Sequence, residues 1–203
     1  MNRALIITSL FLLILTVSGC KPLFEIGGNS YRYLNKSALN SLNAMTDTVY
    51  SNKGREKRIY EISQKNITDI IKSNLNGVFV FFLPYSPVEQ IGLIKEVYDL
   101  CKSSENVNLY LVSRTYDMYD LNSLNEKIGN NSAVFILKDH NFGHNIRKGN
   151  IKLNELFAKF NSLQKMENME SFYDCIIVQD GSLVLAKDNI DSEVLEYIAK
   201  MSD

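Results

Sequence analysis

The chain has few of the residues that build cross-linked or metal-bound proteins, with three cysteines and two histidines among 203 residues. Three cysteines cannot form the disulfide framework of a small secreted scaffold, and two histidines offer little material for a metal site, so we expect no cofactor. An excess of one charge is also missing, because 22 Lys and Arg face 23 Asp and Glu. This balance gives no general attraction to nucleic acid, and we expect no nucleic-acid partner. The chain length and the 45% apolar residues indicate one globular domain.

The N-terminal apolar segment is too short for a stable transmembrane helix. It covers residues 4–17 behind a single basic residue, Arg3, whereas about 20 apolar residues are needed to span a bilayer. A basic start, a short apolar run and small residues after it are typical of a secretory signal peptide. The segment ends in VSGC at residues 17–20, which resembles the bacterial lipobox.

The lipobox resemblance implies that residues 1–19 are a lipoprotein signal peptide and that Cys20 becomes the lipid-carrying first residue of the mature protein. Each buried methylene of an acyl chain contributes about 0.8 kcal/mol to membrane binding, so a spanning helix is not needed. We therefore predict a location in the bacterial cell envelope, with the membrane bound through the lipid on Cys20. The alternative is an ordinary secretory signal followed by an incidental cysteine.

Residues 20–57 are predicted to form the lipid anchor and a polar tether. This stretch is rich in Asn, Ser and Thr and has no sustained apolar period, so it buries little surface. One short helix is expected around residues 36–45. The end of the tether is basic, which favours a solvated turn, with contact to anionic head groups as the alternative. The basic residues are Lys53, Arg55, Lys57 and Arg58.

Residues 58–203 alternate between strand and helix patterns. Near-continuous apolar runs such as GVFVFFL at 77–83 are typical of strands covered on both faces, and apolar residues three and four apart mark the helices. Asp180 and Gly181 suit a tight hairpin turn, and Asp191 suits a helix N-cap. The pattern predicts an α/β fold with a mixed sheet, a C-terminal β-hairpin and helices on both faces. We predict strands at 58–63, 77–83, 108–113, 133–137, 174–179 and 183–186, and helices at 66–73, 88–101, 121–128, around 153–163 and at 191–201.

The order of these elements resembles the thioredoxin-like fold. The stretch IYEISQKNITDIIKSNLNGVFVFFLPYSPVEQIGLIKEVYDLC looks like the first half of a thioredoxin, and IIVQDGSLVLA with the last helix is similar to its second half. The additional strand and helix at residues 133–163 resemble insertions in peroxiredoxin and lipoprotein-type relatives. The resemblance implies a three-layer thioredoxin-like sandwich within residues 58–203.

The chain departs from the thioredoxin pattern at the redox loop. The family carries Cys-x-x-Cys there, whereas this chain has Tyr85, Ser86, Pro87 and Val88. Dithiol exchange needs a thiolate and a partner thiol, so this loop cannot perform it. The family's cis-proline before the hairpin strand is also missing, since residues 171–174 read SFYD.

These departures favour a redox-inactive binding or scaffold module over an enzyme. The candidate recognition loop is Tyr85, Ser86, Pro87 and Val88, which would hold an envelope protein, a peptide or a small ligand. No nucleophile elbow surrounds Ser86, which disfavours it as a nucleophile. A purely structural envelope component is a further alternative. Aromatic side chains are frequent in binding contacts, and four more are candidates for the same cleft: Tyr116, Tyr119, Phe142 and Tyr173.

Cys101 and Cys175 offer the remaining thiol chemistry. Cys101 lies at the C-terminal end of a predicted helix, where the helix dipole disfavours a thiolate, and Cys175 lies in an apolar strand. We interpret both as small buried hydrophobic residues. The alternative function is an atypical thiol-disulfide oxidoreductase or peroxiredoxin-like protein that uses one of them.

His140 and His144 stand with Asp139 in the sequence KDHNFGH. The two imidazoles would meet a metal ion only if this segment were helical. Gly143 and Asn141 favour an irregular, solvated turn. We therefore predict no metal site.

Overall fold

The computed structural model describes residues 42–44, 59–73, 75–83, 88–116, 118–129, 133–143, 145–161, 166 and 168–202. Strands and helices alternate through most of these residues. The strands are β1 Leu42–Ala44, β2 Ile59–Ile62, β3 Asn76–Phe82, β4 Val107–Ser113, β5 Val134–Leu137, β6 Cys175–Gln179 and β7 Ser182–Lys187. The helices are α1 Gln64–Lys72, α2 Val88–Ser103, α3 Met118–Ile128, α4 Asp139–Phe142, α5 Ile146–Ala158 and α6 Ser192–Ser202.

The described strands form one mixed sheet in the order β1-β2-β5-β4-β3-β6-β7. The first five of these strands pair in parallel, whereas β6 is antiparallel to β3 and β7 is antiparallel to β6. The α/β class, the mixed sheet and the C-terminal hairpin are therefore confirmed. The six predicted strands each lie within one residue of the observed bounds.

Side chains of successive strand residues point to opposite faces of the sheet. Both faces carry apolar side chains, and helices cover both of them. In β3, Val78 and Val80 pack with α2, α3 and α6, and Phe79 and Phe81 pack with α1 and α5. All residues of β4 are buried, as expected for a central strand with two covered faces. We call the two layers the α2-side core, which includes Val78, Val80, Ile94, Val97, Cys101, Leu124, Cys175 and Ile198, and the α1-side core, which includes Ile67, Phe79, Phe81, Tyr110, Leu153 and Phe157.

Turn residues and capping side chains stabilise the hairpin and the starts of two helices. Asp180 and Gly181 both have positive φ, 50° and 75°, which is the conformation of a type I′ hairpin turn. Asp191 accepts a hydrogen bond from the Val194 N–H at 3.0 Å and caps α6. Ser63 and Asn66 form a reciprocal capping box at the start of α1. The predicted hairpin turn and the predicted cap at Asp191 are thus confirmed.

Three local predictions are wrong. Leu42–Ala44, inside the helix expected at 36–45, is a strand that pairs with β2. Helix α5 begins at Ile146, where Asn145 caps its first turn. This start is earlier than predicted because the first turn is largely polar and so lacks the apolar period on which the prediction relied. Asp139–Phe142 forms the short helix α4 rather than an irregular turn, and Gly143 ends it with a φ of 92°.

Candidate functional site

The candidate site lies where β3 and β4 end and α2 begins. The carboxyl ends of parallel strands meet at one edge of a sheet, and ligand sites of α/β proteins are commonly found there. Of the candidate recognition loop, Tyr85, Ser86 and Pro87 lie outside the described residues. Val88 is the first residue of α2 and is 80% exposed.

Arg114 directly follows β4 and supplies the positive charge of the candidate site. Its backbone N–H donates to the Phe82 carbonyl at 3.1 Å, which joins it to the end of β3. Its Nη2 donates to the Tyr173 carbonyl at 2.5 Å. The guanidinium carbon lies 5.5 Å from the Phe81 ring centroid and 5.0 Å from that of Phe172. Two cation–π contacts and one hydrogen bond therefore orient the guanidinium.

Burial lowers the pKa of Arg114 to about 10, and the nearby Asp174 carboxylate raises it. Arg114 stays cationic at neutral pH because this pKa is still well above 7. Its Nε is buried and has no hydrogen-bond partner in the part of the chain that the structure describes. The cation is thus held in place without full use of its donors.

Asp174 supplies the negative charge near Arg114. Two backbone hydrogen bonds, one to β3 and one to β7, fix its position. Its carbonyl accepts from the Phe81 N–H at 2.9 Å, and its own N–H donates to the Lys187 carbonyl at 2.8 Å. Its Oδ2 accepts from Gln90 Nε2 at 3.0 Å. Burial raises the pKa of this carboxyl, Arg114 lowers it, a charged Asp188 raises it, and the Gln90 hydrogen bond lowers it.

The segment before β6 is positioned by two buried asparagines of α5. Asn150 Nδ2 donates to the Ser171 carbonyl at 2.6 Å. Asn154 Nδ2 donates to the same carbonyl at 2.8 Å and to the Met169 carbonyl at 2.9 Å. These bonds fix the backbone that carries Phe172, which is 41% exposed beside the guanidinium.

Replacing Asn154 with alanine is expected to destabilise the protein by about 1–3 kcal/mol, because the partly buried Met169 carbonyl loses its side-chain donor. Asn150→Ala is the matched control, since the Ser171 carbonyl keeps its bond from Asn154. Urea unfolding of both variants, followed by circular dichroism, measures the two losses. Equal losses would contradict the role that we assign to the Met169 bond.

The aromatic residues expected to line the cleft are mostly core residues. Tyr116 is 5% exposed in the α2-side core, and its hydroxyl donates to Glu61 Oε1 at 2.8 Å. Phe142 and Tyr173 are buried in the α1-side core. The side chain of Tyr119 lies outside the described part. Sequence reasoning missed Arg114, Asp174 and Phe172, although an arginine directly behind the apolar run VNLYLVS was a usable signal.

Cys101 and Cys175 are buried, as predicted, and both belong to the α2-side core. Both are thiols rather than disulfide partners. Burial raises the pKa of Cys175, and the nearby Asp174 and Asp191 carboxylates raise it further. A neutral thiol is the expected state, which disfavours nucleophilic chemistry.

The other predicted features fall largely outside the described residues. His144 and Cys20 are not described, and the His140 side chain is not described either, although its backbone lies in α4. Among the residues that are described, no group of three or more His, Cys, Asp or Glu side chains is placed to hold a metal ion. In the same residues, no helix combines the length and the apolar character needed to cross a membrane.

An open groove of about 570 Å³ lies between α2 and α6. It lies along the C-terminal half of α2, so it is distant from Val88 along that helix. Acidic and apolar side chains and one hydroxyl line it, and they are Glu96, Asp99, Leu100, Ser103, Leu195, Glu196 and Ala199.

The fold and the site define a class: a three-layer α/β protein with a charged cluster at the carboxyl edge of its parallel strands. No family model matches the chain, and neither a curated protein nor a solved structure matches it.

Proposed function

We propose that this chain is a lipid-anchored protein of the bacterial cell envelope whose globular part is a binding module. Cys20 would carry the lipid, and residues 20–57 would form the tether except for Leu42–Ala44, which pairs with the sheet as β1. A redox-inactive thioredoxin-like domain would hold an envelope protein, a peptide or a small ligand. The binding surface would be the face around residues 85–88 together with the Arg114 cluster. A purely structural component would need no such surface.

The charged cluster of Arg114 and Asp174 carries this proposal. Partial burial of two charges costs free energy, and replacing such groups with apolar residues is often stabilising. Charged groups with shifted pKa values at a sheet edge are typical of functional sites. The exposed Phe172 and Val88 add apolar contact surface at the same edge.

The thioredoxin-like part of the proposal is supported by the order of elements. Strand β2, helix α1, strand β3, helix α2 and strand β4 are followed, after further elements, by an antiparallel hairpin and a last helix. Two strands depart from this order: β1 pairs with β2 at one edge of the sheet, and β5 lies inside the sheet, between β2 and β4. We therefore interpret the inserted strand as widening the sheet from within.

Contact at Val88 tests the binding module. A photo-crosslinking amino acid at position 88 of the full chain, expressed in its own cells, is expected to give discrete adducts. The matched control is position 200, where Lys200 is also exposed but lies in the last turn of α6. Adducts of the same mass at both positions would contradict the proposed surface, and none at position 88 would exclude a protein partner there and leave a small ligand.

Replacing Cys20 with serine is expected to abolish incorporation of a labelled fatty acid and to block processing, because a hydroxyl cannot take the place of the lipidated thiol. Cys101→Ser is the control, since that thiol is buried and should leave acylation unchanged. Metabolic labelling followed by gel mobility measures both effects. A Cys20→Ser protein that is still processed and acylated would refute the anchor.

A further inference from the structure

The guanidinium of Arg114 lacks a direct counter-ion in the described part of the chain. Its Nη2 donates to a neutral carbonyl, that of Tyr173, and its buried Nε donates to no described group. Asp174 acts on it through space, but the Oδ2 of that carboxylate accepts from Gln90 instead. A partly buried cation without a paired anion is unfavourable, so an incoming anion would gain more there than at an exposed arginine.

The geometry of arginine selects the kind of anion. The guanidinium is planar, and its Nη1 and Nη2 groups offer parallel N–H donors that match the two oxygens of a carboxylate, whereas the buried Nε lies out of a ligand's reach. The cation–π contacts with Phe81 and Phe172 hold this plane in place before a ligand arrives, which reduces the ordering cost of binding. A fixed planar fork fits a carboxylate better than a spherical anion.

Apolar surface lies beside the same cation. Val88 and Phe172 are the large hydrophobic side chains that are exposed among the described residues. Phe172 contacts the guanidinium, and Val88 is two residues before Gln90, whose amide binds Asp174. Phe172 is therefore adjacent to the guanidinium, so a ligand bound to Arg114 would place an apolar group next to its charge.

We propose that Arg114 binds a carboxylate that is carried next to an apolar group, with Phe172 contacting that group. This inference rests on the proposed binding function and names the ligand class of the same site. Two sources share the chemistry: a small apolar carboxylic acid, and the C-terminal carboxylate of a peptide with an apolar last residue. The experiment has one arm for each source.

Calorimetric titration of the full chain in detergent tests the ligand class. The probes are 3-phenylpropionate for the small acid and acetyl-Gly-Phe with a free carboxylate for the peptide terminus. The expected dissociation constants are about 1 mM or tighter, and the corresponding amides are expected to bind at least about tenfold more weakly. Tighter binding of the peptide assigns the site to chain termini, and equal or weaker binding of the peptide assigns it to small acids.

Variants assign the binding to Arg114. Arg114→Lys keeps the charge but removes the planar fork, so at least about tenfold weaker binding is expected. Arg147→Lys is the matched control, because Arg147 is exposed and pairs with Glu170 at 2.6 Å, and it should bind as the wild type does. Phe172→Ala alters an exposed side chain, so it should keep the circular dichroism spectrum and weaken binding about fivefold.

Three results would overturn the inference: amides that bind as well as acids, an Arg114→Lys protein with unchanged affinity, or no binding of either acid to the wild type. Crosslinking at position 88 separates these failures from a failure of the binding module. Discrete adducts at position 88 without carboxylate binding would reject the ligand class and leave the module standing.

Discussion

Cys101 and Cys175 are expected to react with a maleimide at least about a hundredfold more slowly in the folded protein than in the unfolded chain. Cys101 is 3% exposed and Cys175 is fully buried, so the reagent reaches them only when the structure opens. The raised pKa of Cys175 also reduces the thiolate fraction at neutral pH. Timed labelling in buffer and in urea, with peptide mapping of the modified residues, measures both rates.

An exposed thiol in the same protein calibrates this measurement. Val88→Cys places a cysteine at a position that is 80% exposed in the wild type, and it should react in the folded state as fast as an unstructured thiol. Fast labelling of Cys101 or Cys175, or a reversible disulfide between them, would make the thiol oxidoreductase the favoured function. Slow labelling of both leaves the recognition surface as the site to pursue.

The strands and the two covered faces were predictable because their information is local. Residues such as Val78, Phe79 and Val80 form an uninterrupted apolar run, and only burial on both faces accommodates such a run in a strand. The alternation of strand and helix patterns then specified a layered α/β fold. The start of α5 was missed because its first turn is polar, with Arg147 and Lys148 ahead of the first periodic leucine.

The candidate site was only partly predictable because its contacts are long-range. The face around Val88 was predicted from the sequence and stays a prediction, whereas Arg114 and Tyr173 are 59 residues apart and Gln90 and Asp174 are 84 residues apart. No periodicity in one segment reports such pairs. The burial of aromatic residues in the loops could not be predicted either, since nothing in the sequence distinguishes the buried Phe142 from the exposed Phe172.

Replacing Phe157 with alanine is expected to lower the free energy of unfolding by about 3–5 kcal/mol. Its fully buried ring packs edge-on against Phe79 at 5.3 Å and against Phe81 at 6.1 Å between centroids. Alanine would remove these contacts and leave a cavity in the α1-side core. Because small domains are stable by only about 5–15 kcal/mol, this loss shifts the urea midpoint strongly.

Phe157→Ala should also loosen the position of Arg114 in the candidate site, because Phe81 contacts both Phe157 and the guanidinium of Arg114. A Phe81 ring that has lost its edge-on neighbour holds the cation less rigidly, so carboxylate binding should weaken in the folded fraction as well. Phe157→Leu keeps most of the volume and should cost less than about 1.5 kcal/mol. Urea unfolding and 3-phenylpropionate titration of both variants test the two effects separately. A Phe157→Ala protein with full stability would contradict the packing of the α1-side core, and full stability loss with unchanged affinity would show that Arg114 is held without Phe81.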